Sequence, residues 1–213
     1  MTRGLFIVFE GGEGAGKTTQ VARLAHAVAA TGRTVVTTRE PGGTSIGQYL
    51  RSLLLAHRMP SKTEALLYLA DRSAHVAEVV RPALDRGDVV ISDRYADSTC
   101  IYQGLGRGLG AEQLAIISGW ATDSLAPDVV VVLDIDPRIG LGRVQASRGR
   151  RDRIEAEGLD FHDRVRLGFL TLAQDGRSGT RYAVVDADQQ VDMVAAEVAS
   201  AVQHILTPDR AVA

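Results

Sequence analysis

The sequence predicts an α/β fold, one five-stranded parallel sheet with helices on both faces, and three observations carry that prediction. Five β-branched or apolar runs, at 5–9, 33–38, 88–92, 128–135 and 181–186, alternate with segments whose apolar residues recur at helical spacing. The run at 128–135 is almost wholly apolar, as a strand covered on both faces has to be. The third observation is length. A chain of 213 residues can bury one substantial core but not two, so a single domain spanning 1–213 is expected. There is no internal repeat or Pro/Ser-rich linker to divide it.

The first strand and the loop after it are the most informative stretch of the chain. The apolar run 5–9 leads through Glu10 into Gly11-Gly12-Glu13-Gly14-Ala15-Gly16-Lys17-Thr18, which fits G-x-x-x-x-G-K-[ST]. Val21, Leu24, Ala25 and Val28 then mark a helix, with Gly32 as its stop. This strand–loop–helix context is the one a phosphate-binding loop requires. Glycines let backbone N–H groups turn inward around a polyphosphate, and the helix N-terminus adds partial positive charge. Lys17 would reach the β- and γ-phosphates, and Thr18 would hold Mg²⁺ through its hydroxyl. Of 24 basic residues only Lys17 and Lys62 are lysine. A compact ammonium at position 17, in a chain that otherwise uses arginine, marks a chemical requirement.

The second strand runs into Arg39-Glu40-Pro41-Gly42-Gly43, a charged pair before a turn, where ligands bind in open α/β sheets. Ile46, Leu50, Leu53 and Leu54 mark a short helix. Ser61-Lys62-Thr63-Glu64 reads as a capping box opening a helix that runs to about Asp85, with a kink at Pro82. Glu64, Tyr68, Arg72 and His75 share one face of it. From these residues alone, a core tyrosine beside a solvated arginine is the simpler account, and His75 is a structural or surface histidine. The third strand ends in Asp93-Arg94-Tyr95, followed by Asp97, Ser98, Thr99, Tyr102 and Gln103, then a glycine-rich link at 104–110. A helix built around Leu114, Ile117, Ala121 and Leu125 precedes the fourth strand, and Asp136-Pro137 starts another in the N-cap and N1 manner. A closing amphipathic helix carries Val191, Val194, Val198 and Ile205.

Seven arginines fall between 143 and 166, and 147–163 is largely polar, with Leu159 and Phe161 among its few apolar residues. So charged a segment is expected to form a mobile surface element. It reads either as a solvated stretch of ion pairs or, in a phosphate-binding fold, as a lid that brings guanidinium groups over a nucleotide. The interspersed acids and scarce aromatics speak against nucleic-acid binding. A net charge of −2 suggests neither a nucleic-acid nor a membrane-surface protein. Cys100 is alone, which excludes an intramolecular disulfide. The N-terminus lacks the pattern of a secretory signal and no apolar run approaches membrane-spanning length, so a cytoplasmic protein is expected.

The motifs FEGGEGAGKTTQ, TREPGGT, ISDRY, STCIYQG and DRIE occur in that order between 9 and 155, and the resemblance they carry extends from about 6 to 187. In that order and spacing the chain resembles the bacterial thymidylate kinases, nucleoside monophosphate kinases of the P-loop NTPase fold. A GTPase would carry an Asn-Lys-x-Asp motif, which is missing here.

The resemblance implies transfer of a phosphoryl group from ATP–Mg²⁺ to dTMP, in dTTP synthesis, by a homodimer. The helix faces around Leu114 and Tyr68 are the candidate interfaces. It puts the donor on Gly11, Gly12, Glu13, Gly14, Ala15, Gly16, Lys17 and Thr18, with Arg148 assisting. Lys17, Arg94, Arg153 and Glu13 become the catalytic set. The acceptor would meet Arg39 and Arg51 at its phosphate and Tyr102 at its deoxyribose. Tyr68, Arg72, Thr99 and Gln103 would meet its base, which reverses the simpler account of Tyr68 and Arg72. Thr18, Glu10 and Asp93 would hold Mg²⁺, the last two partly through water. One subgroup of the family carries arginine at the position of Gly14, and this sequence resembles the subgroup that supplies the arginine from its lid. The stacking position is usually phenylalanine, and Tyr68 adds a hydroxyl there. A kinase for dUMP, UMP or CMP, or an ATP-binding regulatory protein without turnover, are the alternative readings.

Overall fold

The structure is a computed structural model and describes residues 3–149 and 151–206. Its centre is a five-stranded sheet in the order β2-β3-β1-β4-β5. The strands are β1 (Leu5–Gly11), β2 (Val35–Arg39), β3 (Val89–Asp93), β4 (Val129–Asp134) and β5 (Arg181–Asp186). Every pairing is parallel, with Ile7 opposite Ile91 on one side and Val129 on the other.

Alternation along the inner strands feeds two cores. Ile7, Phe9, Val89, Ile91, Val129, Val131 and Leu133 face one side. There they meet Val21, Leu24 and Val28 of α1 (Lys17–Ala29) and Val194, Val198 and Val202 of α9 (Val191–Leu206). Phe6, Val8, Val90, Val130 and Val132 face the other, against Val80, Leu84, Val165 and Phe169. Because both faces are covered, β4 can be apolar from Val129 to Leu133 without interruption.

The remaining helices are α2 (Ser45–Ala56), α3 (Ser61–His75), α4 (Arg81–Asp85), α5 (Ala96–Thr99), α6 (Ala111–Ala121), α7 (Pro137–Arg148) and α8 (Leu159–Asp175). The expected capping box at α3 does not form. Pro60 is the N-cap, no side chain caps the helix, and the Glu64 carboxylate is drawn into the interior by other partners. Pro82 does not break the helix line either. Val76–Val80 widens into a π-turn in which the Arg81 N–H donates back to the Val76 carbonyl, and α4 continues with the proline in its first turn. A second π-turn, Cys100–Gly106, carries Tyr102 and Gln103, so the expected glycine-rich link begins only beyond it. Gly104 is part of that turn and sits so close to Ala111 that a side chain would clash.

The arginine-rich segment departs further from expectation. The Asp152 carboxylate accepts from the Ile154 and Glu155 N–H groups, both at 2.9 Å. Ile154, Glu155, Phe161 and His162 are all buried. Charge on the outer surface did not prevent this segment from seating an apolar underside on the protein.

Candidate functional site

The loop at the C-terminal end of β1 takes the shape its glycines permit, with Gly11, Gly14 and Gly16 at φ 134°, 71° and 88°. A side chain at Gly14 would overlap the backbone of Gly140 in α7, so this loop geometry excludes an arginine there. α1 begins after Gly16 with no side-chain cap, which leaves its first N–H groups open toward the loop. Lys17 folds back and donates to the carbonyls of Gly11 at 3.0 Å and Gly12 at 2.7 Å. Burial and the neighbouring Arg94 pull its ammonium down to about 8, against the support of Glu13, Asp93 and Glu10. The Thr18 hydroxyl donates to Asp93 at 2.7 Å.

A cavity of about 330 Å³ opens over this loop. Glu13, Lys17, Thr18, Arg39, Arg51, Asp93, Arg94 and Arg143 line it. A second, smaller cavity is lined by Tyr68, Tyr102, Gln103, Pro41 and Ile154 and shares Glu13, Glu40, Arg51 and Arg94 with the first. The two halves therefore meet at the Arg94 guanidinium. Arg94 Nη1 donates to Gly11 O and to Ser98 Oγ, both at 3.1 Å, and Nη2 donates to Glu13 at 2.7 Å and Tyr102 Oη at 3.1 Å. Tyr102 also donates to Glu13 at 2.8 Å, and its ring lies 4.9 Å from the guanidinium carbon. Burial works against the Glu13 charge, but Arg94, Lys17 and Tyr102 outweigh it and hold the carboxyl at about 2. Arg51 donates to Pro41 O at 3.0 Å. Burial and the adjacent Arg39 and Arg94 lower its pKa, the mark of cations gathered without their anion.

The other expected residues are placed less simply. Gly11 and Gly12 turn the loop, and Ala15 packs into the first core. Tyr68 and Gln103 line the smaller cavity, whereas Thr99 is sealed with its hydroxyl unpartnered among the described residues. Burial and Glu64 push the Tyr68 hydroxyl up to about 12. Arg72 lies behind the cavity, 1% exposed, and donates to Glu40 at 2.8 Å, Ser118 Oγ at 3.3 Å and Tyr95 O at 2.9 Å. Of its five N–H groups, these bonds leave two for a ligand. The Arg148 side chain lies outside the described residues.

Two expected residues lie away from the larger cavity. Glu10 is fully buried, borders neither cavity, and both its oxygens accept from Tyr95 and Ser98. Burial pushes its carboxyl up to about 7 despite Arg94 and these hydrogen bonds. Arg153 does not face the phosphate loop. Its Nη1 pairs with Glu64 and its Nε donates to Leu54 O at 2.9 Å, because α3 offers a buried carboxylate within reach.

Several residues join the site unannounced by any motif. Glu64 accepts from Gln103 at 2.8 Å and from Arg107 as well as Arg153, so it is a junction between α3, the π-turn and the lid. Gln103 must turn its amide nitrogen to that carboxylate. His75 is sealed rather than superficial. Its Nδ1 lies 2.8 Å from Glu40 and its Nε2 lies 2.6 Å from Thr38 Oγ1. The carboxylate can only accept, which puts the proton on Nδ1 and leaves Nε2 to accept from Thr38. Arg143, the first of the seven arginines between 143 and 166, lines the larger cavity from α7.

Mg²⁺ would fit here in part. Thr18 and Asp93 place two hard oxygens side by side at the cavity. Among the described residues there is no cluster of three or more His, Cys, Asp or Glu side chains that could hold an ion alone. The remaining ligands would come from phosphate and water, as is usual for this cation.

Comparison with known proteins agrees with this geometry. Residues 9–198 match the family described as Thymidylate kinase. The Thymidylate kinase of Leifsonia xyli subsp. xyli is 49% identical over 197 residues, covering 92% of each chain. That of Bifidobacterium longum is 47% identical over 208 residues, 95% of this chain and 98% of the relative. That of Deinococcus radiodurans is 49% identical over 206 residues, 96% of this chain and 98% of the relative. A phosphate loop, an arginine between two joined cavities and this degree of identity along the chain have one reading: it belongs to the thymidylate kinase family.

Proposed function

We propose that the protein transfers the γ-phosphoryl group of ATP to dTMP, giving ADP and dTDP for dTTP synthesis. The observation that carries this is the seat of Arg94, shared by the lining of both cavities. The donor lies over Gly11 to Thr18 with Lys17 at its β- and γ-phosphates. The acceptor lies between Tyr68 and Gln103, its phosphate toward Arg39 and Arg51. An oxygen of the acceptor phosphate attacks the γ-phosphorus, the bond to the β–γ bridging oxygen breaks, and ADP leaves. The attacking phosphate is largely ionised at neutral pH, since its second pKa is about 6, so no general base is required. The work of the chain is positioning and charge neutralisation. Four N–H groups of Arg94 are engaged by Gly11, Ser98, Glu13 and Tyr102, so an incoming phosphate takes the Nε–H or displaces one of them. Thr18 and Asp93 would hold Mg²⁺, which would supply charge neutralisation at the donor phosphates. Arg153 reaches the transferring group once released from Glu64, in a lid spanning 147–163 of one kinase domain. Arg72, from behind the cavity, and Thr99 are the further candidates for contact with the base.

The partner of the chain is a second copy of itself. Leu114 is buried, but Ile116, Ile117 and Trp120 on α6 are 70%, 39% and 83% exposed. α6 packs beside α3, so this apolar face is the one a homodimer would cover. A monomeric mass by light scattering would refute it. Among the described residues no helix is long and apolar enough to cross a membrane, which supports a cytoplasmic enzyme.

An ADP-release assay with ATP–Mg²⁺ and dTMP, dUMP, UMP, CMP, AMP or GMP tests the reaction. The expected result is fastest turnover with dTMP. A preference for another monophosphate overturns the base-pocket assignment, and ATP binding without turnover on any acceptor overturns catalysis.

A further inference from the structure

Arg94 stands in a left-handed backbone conformation, φ 77°, that L-residues avoid. Helix α5 behind it, Ala96–Thr99, runs on into the π-turn Cys100–Gly106, and no side chain of its N-cap residue holds the corner at its start. The carboxylate of Glu10, reaching from the end of β1, does so instead. Its Oε1 accepts from the Tyr95 N–H at 2.9 Å and the Ser98 N–H at 3.1 Å, and its Oε2 accepts from Ser98 Oγ at 2.6 Å. Ser98 Oγ accepts in turn from Arg94 Nη1 at 3.1 Å. A continuous chain of hydrogen bonds thus runs from the central strand to the guanidinium. Glu10 itself is sealed from both cavities, so it touches neither nucleotide. A carboxylate so deeply buried is a poor source of stability, and an apolar side chain of similar volume commonly serves the fold as well.

We propose that Glu10 is a positioning residue for phosphoryl transfer, acting through Ser98 to set where the Arg94 guanidinium sits between donor and acceptor. The proposal rests on the phosphotransfer reading above. It makes Ser98, the first residue of the STCIYQG motif, the intermediate link. It also gives a reason for a buried acid beside a loop whose ligand-facing acid is Glu13.

The test compares Glu10→Gln, Ser98→Ala and the double variant in the full chain, with dTMP and ATP–Mg²⁺. Glutamine at position 10 keeps a carbonyl for the Tyr95 and Ser98 N–H groups but turns an amide nitrogen toward Ser98 Oγ, so the hydroxyl loses its acceptor. Alanine at position 98 keeps the N–H to Glu10 and removes only the bridge. Each single change is expected to lower kcat by about tenfold or more while leaving both KM values within about threefold. The double variant should fall no further than the more impaired single one, because the two residues act in one chain. A wild-type kcat in Glu10→Gln overturns the proposal, as do losses that multiply in the double variant. A loss that tracks the fall in Tm rather than the bond chain also overturns it. Should Glu10→Gln fail to fold, Ser98→Ala decides alone, and a wild-type kcat there is refutation. Turnover of the unaltered chain with dTMP tests the underlying reading separately, so failure of that reading shows before any variant is made.

Discussion

The phosphate end and the lid carry the same kind of charge but hold it in different ways. At the phosphate end Lys17, Glu13, Arg94, Thr18 and Asp93 are cross-linked by bonds of 2.7 to 3.1 Å. They stand at the ends of β1 and β3, whose interior residues are almost fully buried. In the lid, Arg153 is committed to Glu64 and to Leu54 O, on the far side of the acceptor cavity. Charges fixed before the substrate arrives cost no reorganisation when the reaction occurs. A lid arginine has to exchange one partner for another, so its contribution is reduced by the strength of the contact it leaves. A division of labour is the expectation: the strand ends would supply most of the rate, and the lid a conditional increment.

The largest expected effect separates those two contributions. Arg94→Ala should lower kcat by about 10³-fold, within the range for an arginine that neutralises a transferring phosphoryl group. Arg153→Ala should cost about 10- to 100-fold, because the residue replaced is already held by Glu64 rather than by the phosphates. Steady-state kinetics with dTMP and ATP–Mg²⁺ measure both. Equal losses would erase the distinction between a preset site and a latched lid.

How far this contrast could be seen in the sequence depends on the range of the interactions involved. Strands, their parallel order and the phosphate loop come from local patterns, since β-branched runs and glycine spacing act over a few residues. Lys17, Thr18, Asp93 and Arg94 were legible for the same reason, each lying at a strand end or in the loop after it. The destinations of Glu10, Glu64 and Arg153 were not. The chain has 24 basic and 26 acidic residues, and which acid meets which arginine is settled by tertiary packing over separations such as 89 between Glu64 and Arg153 (153 − 64). Glu64 shows the ambiguity directly. Its spacing from Ser61 fits a helix cap, yet the pull of two arginines and an amide decides its side chain. Arg72 and His75 are a second case, because one buried carboxylate, Glu40, draws both inward.

A smaller effect sharpens the picture of the phosphate end. Lys17 has its ammonium lowered to about 8 by burial and Arg94. A lowered lysine pKa means that the charged form is present below that pH and lost as pH rises through it. Bound polyphosphate raises the value again, so protonation and donor binding are linked. The KM for ATP should therefore climb from about pH 8 upward, by about tenfold per pH unit at the limit, while kcat at saturating ATP stays level over the same window. A kcat that falls in parallel, with KM constant, would show that Lys17 titrates in the bound complex instead.

The smallest expected effect concerns Tyr68, the residue proposed to stack on the acceptor base. Its ring lines the acceptor cavity, but its hydroxyl has no hydrogen-bond partner among the described residues. Burial and the adjacent Glu64 hold that hydroxyl protonated, so it adds no charge to the pocket. A stacking surface is common to tyrosine and phenylalanine, and a hydroxyl that meets no protein group carries little of the pocket's shape. Tyr68→Phe should then change the KM for dTMP by less than about threefold and leave the ratio of dTMP to dUMP turnover near its starting value. That ratio depends on burial of one methyl, worth roughly 1 kcal/mol. A large loss of dTMP preference in Tyr68→Phe would mean that the hydroxyl reads the base directly. Selectivity would then reside in the latched half of the site, with Glu64 and Gln103, rather than in the stack alone.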